Sequence, residues 1–312
     1  MAFKHLFPIF GMAALLAACA SNNLYDGLTQ SNKDEELHKP VSSQKNNQNG
    51  TLGLAFGGGG VRGFIHLGVI KALEESGIKA DLVTGTSAGS IAATFYGSGK
   101  TYQQIRSAVD DVSPFTIADF VISNKGFVNG KKLAGWINTS IEQHDISNMP
   151  IPVGIAVTDL TARKAVLINQ GNPGEAVQAS SSIPGAFVPV ESQNHILVDG
   201  GLLALVPVKF ARAMGANKVI AVDIYCGNQP KVDSQSLADG TSRVMYNAFR
   251  LLSCELVKEE LQDADIVLQP DFEPERMGSF DSKEKAIEAG YLATLEKIEQ
   301  IKRLRDVQTV TF

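Results

Sequence analysis

Two glycine-bearing turns, each placed where a short apolar run gives way to a helical pattern, constrain this chain more than any other feature. The first is Gly57-Gly58-Gly59-Gly60-Val61-Arg62-Gly63, after the apolar run Leu52 to Phe56; the second is Gly85-Thr86-Ser87-Ala88-Gly89, after Leu82-Val83-Thr84. A serine between two such glycines at a strand-to-helix junction has the pattern of a nucleophile elbow. The turn strains the serine backbone and leaves room only for small neighbours, so Gly85 and Gly89 keep strand and helix from colliding. Ser87 Oγ then stands at a helix N-terminus, where the dipole favours developing negative charge.

Short β-rich runs alternate with helical patterns from Thr51 onward: Leu52 to Phe56, Leu82 to Thr84, Val153 to Thr158, Ala165 to Ile168, Ile196 to Val198, Val219 to Ile224 and Ile266 to Gln269. The pattern predicts an α/β domain over residues 51–312, with a single wound, mostly parallel sheet flanked by helices on both faces. Helical spacing is found at Arg62 to Ser76, Ala88 to Tyr96, Thr101 to Val112, Gly130 to Glu142, Val206 to Met214, Ser242 to Leu261 and Lys283 to Leu304. The irregular stretch Val112 to Asn129 is expected to form a flap beside the site.

The first residues read as an export signal. Lys4 and His5 precede an apolar run from Leu6 to Ala18 that is too short to span a bilayer. Leu16-Ala17-Ala18-Cys19 resembles the bacterial lipobox, which implies a signal over residues 1–18, an acylated Cys19 and a cell-envelope lipoprotein. Ala20 in place of aspartate implies sorting to an outer membrane, facing the periplasm, rather than retention on the inner one. Residues 19–50, rich in Asn, Gln, Ser and Lys, have too little apolar surface to fold and read as a flexible tether with a reach of roughly 30 Å.

A net charge of -5 with no basic block argues against a nucleic-acid partner, since phosphate neutralisation needs a positive patch. No Cys-x-x-Cys or His/Cys cluster points to a metal, and no cofactor is called for. Cys226 and Cys254 are free to pair if the domain lies in an oxidising compartment and their backbones approach.

Asp199 follows Ile196-Leu197-Val198 and precedes Gly200-Gly201, so it ends a strand, where groups gather in an open α/β sheet. Taken in order, Gly58-Gly59-Gly60-Val61-Arg62-Gly63, Gly85-Thr86-Ser87-Ala88-Gly89 and Asp199-Gly200-Gly201 resemble the three signature blocks of the patatin-like phospholipases. The likeness extends to Ala179-Ser180-Ser181-Ser182-Ile183-Pro184-Gly185-Ala186-Phe187 and covers about Leu52 to Tyr291. It implies a patatin-like fold and a lipid acyl hydrolase, acting on a phospholipid, lysophospholipid or other acyl ester. In this scheme Ser87 attacks the carbonyl and Asp199 takes its proton without a histidine. Gly58, Gly59 and Gly60, with Arg62 as a brace, form the oxyanion loop, and Cys19 holds the domain to a membrane surface. The position before Gly58, often Asp or Ser in the family, is Gly57 here, and a more mobile loop is expected.

Three other readings compete. A Ser, acid, His triad would need Asp159 and His195, but His195 begins the strand that Asp199 ends, about 13 Å away at strand rise. His66 and His144 read as core-edge or helix-surface residues. A dinucleotide site satisfies Gly58-x-Gly60-x-x-Gly63, but its acid would be Asp81, which precedes its strand instead of ending it. A tethered lipid-binding scaffold without activity is the remaining class, and the intact Ser87 and Asp199 argue against it.

Overall fold

The computed structural model describes residues 28–29, 50–110, 112–227, 240–275 and 279–306. The signal and most of the tether, including Cys19, lie outside the described residues. Among the described residues nine strands form one sheet: β1 Leu28–Thr29, β2 Leu52–Phe56, β3 Leu82–Thr86, β4 Val153–Asp159, β5 Lys164–Ile168, β6 Val190–Ser192, β7 His195–Asp199, β8 Lys218–Val222 and β9 Ile266–Leu268. The central block β4-β3-β2-β8-β9 is parallel throughout. β2, β3 and β4 are buried at every position, as strands covered on both faces must be.

The far side of β4 departs from the parallel pattern. β5 returns antiparallel on one edge of β4, and β1 pairs antiparallel with β5, so the stretch read as an unstructured tether contributes two residues to the sheet. An edge strand offers unpaired N–H and C=O groups, which is what β1 occupies. β7 is antiparallel as well, and it takes the edge of β4 that β3 leaves. Thr86 of β3 is opposite Ala156 and Asp199 of β7 is opposite Val157. The carboxyl ends of β3 and β7 therefore meet head to head beside successive residues of one strand.

Helices differ from the sequence expectation at their ends. The expected start at Arg62 is a 3-10 turn, Gly60–Phe64, before the α-helix Ile65–Glu75. The pattern from Lys283 to Leu304 splits into Lys283–Glu296 and Ile298–Asp306. Helix Pro173–Ser180 was not expected, although Asn172 before Pro173 is an N-cap signal: the Asn172 side chain accepts the Glu175 N–H at 2.9 Å. Cys226, in the loop after β8, is disulfide-bonded to Cys254 of helix Thr241–Gln262, with Cα atoms 5.4 Å apart.

Candidate active site

Ser87 sits where β3 becomes helix Ala88–Gly97, with φ 52° and ψ -122°, a conformation costly for any side chain but glycine. The crowding that forces this turn is measurable at its glycines. A Cβ on Gly85 would lie 2.2 Å from the Gly89 carbonyl oxygen, and one on Gly89 would lie 2.2 Å from that of Phe56. The strained backbone is held by partners on both sides. The Ser87 N–H donates to Ser180 Oγ at 2.9 Å, Ser180 Oγ donates to the Ala156 carbonyl at 2.6 Å, and the Ser87 carbonyl accepts Ser90 Oγ at 2.6 Å.

Asp199 reaches the serine because Gly200 lets β7 approach so closely: a Cβ there would lie 2.4 Å from the Ala156 carbonyl oxygen. The Asp199 carboxylate accepts the Gly201 N–H at 2.7 Å, and the neighbouring Ser87 hydroxyl favours its ionised form. Its own backbone N–H donates to the Ser182 carbonyl at 3.0 Å. The segment Ser180 to Ser182 thus pins both members of the pair, one through a hydroxyl and one through a carbonyl. Burial pushes the Asp199 carboxyl up to about 6, opposed by the bonds from Ser87 and Gly201.

The glycine loop faces the same point, with fewer donors than the sequence suggests. The Gly58 N–H is committed to the Leu205 carbonyl at 2.9 Å, so Gly58 supplies room rather than a donor: a Cβ on it would stand 3.3 Å from Ser87 Cβ. The Gly59 and Gly60 N–H groups have no acceptor among the described residues, and Gly60 has φ 58°. The buried Arg62 guanidinium is bonded to Glu273 at 2.5 Å and lies over the Tyr225 ring at 5.4 Å, at the wall of the same cavity.

Gly57 is not loose. Its N–H donates to the Val222 carbonyl at 2.9 Å and its carbonyl accepts from His66 Nε2 at 2.8 Å, while a Cβ would meet the Val222 oxygen at 2.7 Å. His66, expected at a helix surface or core edge, is wholly buried in the first turn of Ile65–Glu75, and burial pushes it down to about 4, so it is neutral. Sequence reasoning gave it no part in the site. The available signal was a histidine three residues beyond the last glycine of the loop, in the first turn of the helix that follows it.

The competing readings fall elsewhere. His195 and Asp159 do pair, Nδ1 to Oδ2 at 2.6 Å, but at the opposite end of β7 from Asp199. Asp81 lies at the amino edge of the sheet, accepting the Leu52 N–H at 2.8 Å and paired with Arg305. His144 is exposed. Above Ser87 and Asp199 opens a cavity of about 780 Å³ whose walls are chiefly apolar, with Leu67, Ile91, Phe95, Trp136 and Phe187 among them. The stretch Val112 to Asn129 lines one side of it through Pro114, Ile117 and Phe127.

A family model described as Patatin-like phospholipase matches residues 54–212. The patatin-like phospholipase domain-containing protein 6 of Mus musculus is 32% identical over 200 residues, covering 62% of this chain and 15% of that protein. An uncharacterized NTE family protein of Mycobacterium tuberculosis is 30% identical over 175 residues, covering 55% of this chain and 49% of that protein. The chain thus spans half or less of the length of these relatives. Among solved structures, VipD from Legionella pneumophila shares the fold, with a TM-score of 0.55, 15% identity and coverage of 81% of this chain and 67% of that one.

Proposed function

The chain belongs to the patatin-like phospholipase family, and on that premise we propose that it hydrolyses lipid acyl esters through a Ser87/Asp199 dyad. The observation that carries this reading is the meeting of β3 and β7, which sets the Ser87 hydroxyl against a buried carboxylate at the floor of an apolar cavity. Ser87 Oγ attacks the ester carbonyl carbon as its proton passes to Asp199. A carboxylate in water is too weak a base for this step. Burial raises its proton affinity while leaving most of it ionised at neutral pH.

The tetrahedral oxyanion is received by the free Gly59 and Gly60 amides, each worth about 2.7 to 4 kcal/mol of barrier in comparable sites. Collapse returns the proton from Asp199 to the departing alcohol and leaves an acyl-Ser87 ester. Water, activated by Asp199, then releases the acid. The acyl chain lies along Leu67, Phe95 and Trp136.

Cys19 anchors the domain to the cell envelope, at an outer membrane facing the periplasm. The Cys226–Cys254 disulfide supports an oxidising compartment of that kind. A fluorophosphonate probe tests the nucleophile: labelling of the wild type and none of Ser87→Ala is expected. An unlabelled wild type that also leaves lipid esters intact returns the chain to the scaffold class.

A further inference from the structure

The cavity mouth carries more exposed apolar surface than an enclosed site needs. Four side chains both line the cavity and stay exposed to at least about a third: Phe127 at 66%, Ile183 at 43%, Met245 at 51% and Phe249 at 36%. Exposed Phe120 and Ile122 flank Val121, whose N–H donates to the Phe127 carbonyl, and exposed Leu252 and Leu256 follow Phe249 one and two turns along their helix.

Helix Thr241–Gln262 turns its other face to the body of the protein. Arg250 lies over Tyr225 at 5.2 Å, Cys254 is in the disulfide, and Val257 is buried. Met245, Phe249, Leu252 and Leu256 recur at i, i+4, i+7 and i+11, an outward stripe at helical spacing. A helix apolar on both faces needs cover on both, and among the described residues only one face is covered.

We propose that this rim and stripe are the surface by which the protein docks on a lipid bilayer, a reading that rests on the lipid-hydrolase function above. Continuity with the Ser87 cavity selects the occupant. An acyl chain leaving the bilayer between Phe127 and Phe249 passes from one apolar medium to another without crossing water. Several charged groups near the surface have partners within the fold. Lys125 is bonded to Glu191 and Lys258 to Glu255, and the Asp119 carboxylate accepts the Gly130 and Lys131 N–H groups. With the whole chain at -5, docking proceeds by insertion of side chains and not by attraction to anionic headgroups. Among the described residues no helix is long and apolar enough to cross a membrane, so this contact is made at the bilayer surface.

The test uses the full chain with phosphatidylcholine vesicles. In a Leu252→Trp variant, the emission gained over the parent is expected to be quenched by brominated acyl chains, and equally so at high salt. The Ile122→Glu/Leu252→Glu variant is expected to hydrolyse vesicle lipid about tenfold more slowly or worse, while its rate on a soluble short-chain ester stays at the wild-type level. Absence of quenching overturns the proposal. So does light scattering that shows a wild-type dimer turned monomeric by the two glutamates, which would make the stripe a contact between copies. If the wild type hydrolyses neither substrate, the functional reading fails, and the quenching still decides whether the surface docks.

Discussion

The two ends of β7 carry two acidic arrangements that look interchangeable on paper and are not. At its amino end His195 is bonded to Asp159, whose other oxygen accepts the Thr161 and Ala162 N–H groups at 2.9 and 3.0 Å. At its carboxyl end Asp199 accepts the Gly201 N–H and neighbours the Ser87 hydroxyl, with no histidine bonded to it among the described residues. The first resembles the acid and base of a conventional triad, yet its carboxylate caps a turn and neither residue lines the cavity. The second has the strained serine, two free amides and the apolar chamber. A histidine-carboxylate pair is therefore a poor marker of reactivity by itself; what marks the site is the space cleared by Gly58, Gly85, Gly89 and Gly200 where two strands end.

Asp199→Asn separates the two ends most sharply. Loss of the base is expected to cut hydrolysis of a soluble ester by about 10³- to 10⁴-fold. The same change is expected to stabilise the fold. Because the native state holds the Asp199 proton up to about 6, above the ordinary carboxylate value, its contribution to stability is complete below the unfolded pKa and is lost as pH rises through the native one. At pH 7 the ionised carboxylate thus costs on the order of 3 kcal/mol, which the neutral amide avoids while still accepting the Gly201 N–H. Thermal denaturation at pH 7 should show the inactive variant melting higher than the wild type. A lower melting point would mean that the carboxylate is structural, as Asp159 is.

His66 tests whether the amide cradle needs its brace. Removal of the Nε2–H bond to the Gly57 carbonyl frees the loop one residue before Gly58, and a displacement near 1 Å at such a site costs about 10²-fold in rate. His66→Ala should lower kcat with little change in KM for a soluble ester, and His66→Gln, which restores a donor, should recover part of the loss. An equal fall in both variants, tracking lost secondary structure by circular dichroism, would reduce His66 to packing.

The acidic limb of the pH profile probes the same carboxylate without mutation. The base works only when ionised, so kcat/KM should fall about tenfold per pH unit below an apparent value near 6, not near 4. A limb that disappears in His195→Ala would point to the other end of β7.

Much of this site was legible as spacing. Glycine flanking Ser87, and glycine after Asp199, announce close backbone approach, because only a missing Cβ solves that problem. The direction of β7 was not legible. Both a parallel and an antiparallel strand place Asp199 at a carboxyl end, and only the register against Val157 shows that it arrives from the opposite side to Ser87. The assignment of Gly58 as a donor failed for a related reason: a bare amide in sequence says nothing about the Leu205 carbonyl 147 positions away that claims it. Ser180 and His66 were missed because each acts on backbone through a side chain that is ordinary at its position.

His195→Ala should have the smallest effect of all on catalysis. The imidazole lies about 13 Å from Asp199 along β7 at ordinary strand rise, so the variant should keep its rate on a soluble ester within about twofold. Its cost falls on the fold instead. Asp159 is wholly buried and loses its Oδ2 partner, which costs about 1 to 3 kcal/mol as an unsatisfied buried acceptor. Asp159→Asn should soften that loss in the His195→Ala background, since a neutral amide is cheaper to bury than an unpaired carboxylate. A destabilised but fully active enzyme is the expected pair of results, the mirror image of Asp199→Asn. Inactivity of a folded His195→Ala protein would transfer the base to the Asp159 end and leave the meeting of β3 and β7 without a chemical role.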